Sequence, residues 1–158
     1  MALEFRDVTK AFETKEGAVL TALKDVSFTA DEGEFVAVVG PSGCGKSTML
    51  NMTAGLYQPT EGEVHVSGER VTKPNSHVGF MLQKDLLLPW RTIEKNVAFG
   101  LESRGFSRAD CRRIAQERLA ECHLSGFGDY YPYQLSGGMR QRAALARTLA
   151  IDPDVILL

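Results

Sequence analysis

Lys46 and the glycines before it are the residues of this sequence best arranged to do chemistry. Gly40, Pro41, Ser42, Gly43, Cys44, Gly45, Lys46 and Ser47 follow the pattern G-x-x-x-x-G-K-S/T. A short apolar, β-rich run at 35–39 stands directly before it, and a helical pattern follows over 46–56. Glycines 40, 43 and 45 let the backbone turn tightly and aim its N–H groups inward. A helix beginning at Lys46 points its positive end at the same spot. Lys46 adds a full charge, Ser47 a hydroxyl of the kind that ligates Mg²⁺, and Thr48 a further donor. Together these groups make a receptor for a polyphosphate. The plain alternative is a glycine turn between a strand and a helix. Cys44 reads either as a redox thiol or as the occupant of a variable loop position, and nothing around it marks a stabilised thiolate.

A second glycine site opens the last helical pattern. In Leu135, Ser136, Gly137, Gly138 and Met139, the serine is a good N-cap. The two glycines leave N–H groups exposed at a helix start, where an anion binds well. Alone, this is an ordinary capped helix. Downstream of a phosphate loop it becomes a second anion site.

The surrounding pattern says what must position these groups. Leu3, Phe5 and Val8 mark a strand over 3–8 whose period slips at its end, and 19–28 reads as a second strand region after a polar turn at 13–17. A turn at 32–34 leads into 35–39, which reads as a strand buried on both faces. The helix over 46–56 offers Met49, Leu50 and Ala54 as its apolar side. Strands follow at 61–68 and 78–82. Thr92 is placed to cap a helix through Leu101. Ser107 and Asp110 form a box-like start for a helix through Cys122, with Cys111, Ile114, Ala115, Leu119 and Cys122 on one face. A Gly- and Tyr-rich loop fills 126–134. The last helix spans 137–150, and Asp152 and Pro153 end it before a final apolar run at 155–158. The division expected is a nucleotide-binding part over 1–84, a helical part over 85–150 and the start of a strand over 151–158.

Composition limits the alternatives. Lys+Arg is 18 and Asp+Glu is 20, a net charge of −2, which argues against a broad basic surface for nucleic acid. With 44% hydrophobic and 24% charged residues, the 158-residue chain has the composition of a folded globular domain. Three scattered cysteines fit a reducing compartment better than a disulfide framework. Charges within 1–7 are unlike a signal peptide, and no apolar run approaches about 18 residues.

The sequence GPSGCGKST at 40–48, Gln83 at a strand end and LSGGMRQR at 135–142 together resemble the ATP-binding subunits of ABC transporters. The resemblance runs from Leu3 to the end of the chain. It implies an α/β P-loop NTPase fold: an antiparallel β front subdomain, a mixed or parallel core sheet and a helical signature subdomain. It implies ATP and Mg²⁺ as cofactors, with Gly40 to Thr48 around the phosphates and Ser47 and Gln83 on the metal. Lys46 and Gln83 become the catalytic pair, the glutamine touching Mg²⁺ and the attacking water; read alone, Gln83 is merely a polar strand end. Phe12 falls where the family stacks an aromatic on adenine, here Phe rather than the commoner Tyr. Its alternative is a packing aromatic. Ser136, Gly137 and Gly138 would hold the γ-phosphate of ATP bound to another copy, which implies a homodimer.

Residues 80–90, 93–101 and 131–142 look like the importer subunits for nitrate, taurine and aliphatic sulfonates, although Tyr133 stands where His is frequent. The resemblance then implies transmembrane permease subunits as partners, met by the apolar segment from Leu86 to Trp90. A periplasmic or extracellular solute-binding protein is implied indirectly, and the site of action is the cytoplasmic face of the plasma (inner) membrane, reached through the permease. The alternatives are a non-transport ABC-type ATPase, usually marked by long insertions or paired domains, and a non-catalytic nucleotide-binding module. In the family the strand at 155–158 leads into an Asp-Glu pair, then a D-loop and a switch histidine. His65, His77 and His123 all precede the signature and do not match that histidine. The chain thus reads as an N-terminal fragment. By itself it is expected to be deficient in hydrolysis and, lacking a central strand, poorly stable.

Overall fold

The computed structural model describes residues 1–158, which form two compact units. The first holds Met1–Val78 with Leu157, the second Gly79–Ile156 with Leu158.

The first unit is built on strand β1 (Leu3–Glu13), which pairs antiparallel with β2 (Val19–Ala30) on one side and β3 (Glu61–Val66) on the other. A two-residue strand β4 (Glu69–Arg70) completes a four-stranded sheet in the order β2-β1-β3-β4. Phe5 faces Phe28 across the first pair, and their rings stack with centroids 4.7 Å apart. Phe5 and Val8 are both buried although they differ by three positions. A bulge explains the slip in alternation: Asp7 lies at φ 47° and the register shifts between Phe5 and Val8. The bulge is tied down by Ser27, whose Oγ accepts from the Asp7 N–H at 2.8 Å and whose hydroxyl donates to Asp7 Oδ1 at 2.9 Å. Helix α1 (Lys46–Thr53) is shorter than its sequence pattern, and buries Met52 and Thr53 rather than Met49 and Leu50.

Residues 35–39 depart from expectation. They form no strand, and Phe35 and Val39 are each 87% exposed. The run is apolar enough to be a buried strand. However, a strand also needs a ladder partner for its N–H and C=O groups, and no segment of this chain pairs with it. The expected core sheet is accordingly reduced to β5 (Val78–Phe80) paired with β6 (Val155–Leu157).

The second unit is mostly helical: α2 (Ile93–Val97), α3 (Phe99–Ser103), α4 (Arg108–Glu121) and α5 (Gly137–Ala150). The single helix expected after Thr92 breaks at Ala98 into α2 and α3. Thr92, Ser107 and Ser136 cap α2, α4 and α5 as their residue types dictate. Ser107 also donates to Asp110 Oδ2 at 2.6 Å, so the aspartate meets the serine hydroxyl and not the Ser107 N–H that a full box would use. The core gathers Ile93, Val97, Leu101, Ala115, Leu119 and Leu124 against Ala143, Ala144, Ala146 and Ala150 of α5. The alanines let α5 lie close to α2 and α4.

Asn96 is the fully buried polar residue of this core. Its Nδ2 donates to the carbonyls of Leu88, Arg91 and Thr92 at 3.0–3.1 Å, and its Oδ1 accepts from the Leu88 N–H at 2.6 Å. One side chain thus satisfies the backbone of the turn ahead of α2. Asn96→Ala removes the partner of the Leu88 N–H and the Arg91 carbonyl, while the Leu88 and Thr92 carbonyls keep the backbone N–H groups of Arg91 and residue 96. It is expected to lower the unfolding free energy by about 1–3 kcal/mol, read as an earlier urea midpoint.

Candidate functional site

The phosphate loop lies in the first unit. Gly43 and Gly45 occupy left-handed backbone at φ 84° and 93°, and the Cys44 N–H donates to the Pro41 carbonyl at 3.3 Å. Gly45 is required twice over: besides its φ, a Cβ there would stand 2.6 Å from both the Ala22 carbonyl oxygen and Leu23 Cδ2. Gly45 therefore packs directly on β2, against the Ala22 carbonyl and the Leu23 side chain. Lys46 folds back over it, its Nζ donating to the carbonyls of Gly40 and Pro41 at 2.8 Å each. Cys44 Sγ lies 3.6 Å from the same nitrogen. The ammonium is thus held against the loop by the loop's own carbonyls.

Helix α1 starts without a side-chain cap and with no acidic residue in its first turn. Its leading N–H groups and positive end are unopposed, which is the condition for binding an anion. The Ser47 side chain is exposed and Thr48 half-buried at this opening. No cluster of three or more His, Cys, Asp or Glu side chains could hold a metal. A cation here would be held by hard oxygens, from the Ser47 hydroxyl and the phosphates themselves. That donor set suits Mg²⁺, which keeps much of its water.

Phe12 sits on β1 opposite Leu20 of β2, half-buried. Its ring meets Tyr57 at 5.6 Å with planes 76° apart, and Lys10 Nζ stands 5.0 Å from its centroid.

Gln83 and the Ser136 group lie in the second unit. Ser136 Oγ accepts from the Met139 N–H at 3.4 Å. A Cβ on Gly138 would meet nothing within 4 Å, so the start of α5 is open. Gln83 has an exposed side chain, while its carbonyl accepts from Gln141 Nε2 at 3.2 Å. Two further arms of α5 hold the residues after it. Arg140 Nε meets Asp85 Oδ2 at 3.1 Å, and Arg147 donates to the carbonyls of Asp85 and Leu86 at 2.7 and 2.8 Å. Burial pulls the Arg147 guanidinium below its ordinary pKa, and Asp85 opposes that shift. Leu86 itself sits at φ 44°, a strained position for a side-chain-bearing residue.

Sequence reasoning missed Tyr57, Asn96 and Arg147. Tyr57 and Arg147 act through contacts with distant segments, and Asn96 through the turn just ahead of its own helix, none of which the residue pattern reports. Arg140 and Gln141 were visible only as part of the motif, without their hold on 83–85.

Residues 23–158 match the family model for the ABC transporter. The chain belongs to the ABC transporter family. It is 47% identical over 99% of its length to an uncharacterized ABC transporter ATP-binding protein of Methanocaldococcus jannaschii, covering 58% of that protein. It is 43% identical over 97% of its length to the taurine import ATP-binding protein TauB of Pelagibacter ubique, again covering 58%. With the nitrate import ATP-binding protein NrtD of Synechocystis sp. it shares 44% identity over its whole length and 59% of the relative. The chain thus spans somewhat under two thirds of these relatives. Among solved structures it resembles an ATP-binding cassette determined as a dimer in a post-hydrolysis state with ADP and Pi. The TM-score is 0.85 at 37% identity, over 98% of this chain and 72% of that one. The ABC cassette has the α/β P-loop fold that the sequence implied.

The geometry separates two glycine substitutions. Gly43→Ala has open space and is expected to cost only the left-handed strain, about 1–2 kcal/mol. Gly45→Ala adds the collision with β2, so it should destabilise more and abolish nucleotide binding; paired urea melts and nucleotide titrations distinguish the two.

Proposed function

We propose that this chain is the nucleotide-binding portion of the ATP-binding subunit of an ABC importer, carrying a nitrate-, taurine- or sulfonate-like solute. The observation that carries the reading is the Lys46 ammonium pinned over a phosphate loop that opens onto an uncapped helix start. ATP offers what that arrangement receives. Its phosphates take the loop N–H groups, the free end of α1 and the Lys46 charge, while the base is left to an aromatic such as Phe12. Mg²⁺, when bound, would neutralise phosphate charge, with the Ser47 hydroxyl as its protein donor in this unit. The names of the relatives support the solute class, since they are ATP-binding proteins named for taurine import and nitrate import.

Ser136, Gly137 and Gly138 are assigned to the γ-phosphate of ATP held by a second copy, so that nucleotide joins two chains. The dimeric state of the similar cassette structure supports this pairing. Leu86, Trp90 and Phe99 are 52%, 72% and 47% exposed, an apolar set on one helical unit that suits docking of a permease. No helix is long and apolar enough to cross a membrane. The proposed working place is the cytoplasmic face of the membrane, through that permease.

Lys46→Ala is expected to weaken magnesium-dependent ATP binding about ten- to hundredfold, the worth of a charged hydrogen-bonding partner. Filter binding with labelled ATP measures it, and unchanged uptake would remove the reading.

A further inference from the structure

We propose that Tyr57 is a positioning residue for the nucleotide base, holding the Phe12 ring in the plane on which the base stacks. This rests on the assignment of Phe12 to the base, and it adds a residue whose type and place no motif marks.

The phosphate loop and Phe12 belong to one unit and share a support. Gly45 lies against Ala22 of β2, and Phe12 pairs with Leu20 of the same strand. Two residues of strand separate these points, about 7 Å along β2. A nucleotide seated at Lys46 thus has an aromatic ring further down the same hairpin, where its base must go.

The ring's surroundings are informative. Lys10 Nζ stands over the Phe12 face, 5.0 Å from the centroid. That ammonium covers one face of the ring, and a flat base that displaced it would make a larger contact with the same face. Tyr57 is different in kind. Its ring lies 76° from the plane of Phe12, so it cannot stack in parallel with that ring. The two rings pack edge to face, a contact that fixes the plane of Phe12 without competing to stack on it in parallel.

Tyr57 is also anchored from both sides. Its N–H donates to the Asn51 carbonyl in the last turns of α1 at 3.2 Å. Three residues later the chain is bonded to β1: the Thr60 N–H donates to the Thr9 carbonyl at 2.8 Å, and Thr60 Oγ1 accepts from the Ala11 N–H at 3.0 Å. Tyr57 therefore sits between the helix that begins at the phosphates and the strand that carries Phe12. Tyr57 as a residue is 42% exposed, so a packing role alone leaves much of it unused.

Calorimetric titration of the protein with magnesium ATP and with magnesium tripolyphosphate isolates the contribution of the base, as the ratio of the two dissociation constants. Phe12→Ala is expected to reduce the preference for ATP about 5- to 100-fold. Tyr57→Ala is expected to reduce it about 2- to 10-fold without changing tripolyphosphate binding, and the conservative Tyr57→Phe to restore most of it. A wild-type ratio in Tyr57→Ala beside a reduced one in Phe12→Ala overturns the assignment of Tyr57 alone. Equal weakening of both ligands in Tyr57→Ala overturns it too, since the residue then supports the loop and not the base. An unchanged ratio in Phe12→Ala overturns the base-stacking reading itself.

Discussion

A single ammonium group organises the phosphate site. Lys46 Nζ is held by the carbonyls of Gly40 and Pro41, two groups that the tight loop turns toward one point. Those carbonyls partly compensate the charge and fix its place against the loop. The loop keeps this shape because Gly45 can lie directly on β2 in left-handed backbone. The rest of the first unit follows from that contact. The long β1–β2 hairpin is the platform, its bulge at Asp7 bends the sheet, and α1 leaves the platform with its positive end unopposed.

Helix starts in this protein divide by task. Thr92, Ser107 and Ser136 accept N–H groups from the helices they precede, whereas Gly45 accepts none through a side chain. A cap that used up the first donors of α1 would compete with phosphate. Ser136 is intermediate: its bond to Met139 is long at 3.4 Å, and Gly137 and Gly138 leave the approach clear.

Much of this was legible in the sequence, because local rules decide it. The capped helices α4 and α5 follow from Ser107, Ser136 and their apolar faces, and the phosphate loop follows from its glycines. The slip from Phe5 to Val8 was visible, although its cause, a bulge tied by Ser27, needed the partner strand. Residues 35–39 show where such reading stops. Apolar character gives a segment a reason to be buried but does not supply the neighbour that buries it. Asn96 and Arg147 fail for the opposite reason: as single polar residues in helical patterns they look solvated, and only the folded turn at 85–92 gives them work.

The alanine stripe on α5 has a consequence for how this helix can vary over time. Ala143, Ala144 and Ala146 are wholly enclosed, and their neighbours have closed to the distance that a methyl group allows. A single larger residue there would wedge the bundle apart, while glycine would loosen the helix itself. Drift on this face is confined almost to exchange among the smallest residues, so divergence should accumulate on the outward rim and leave the inward one nearly still.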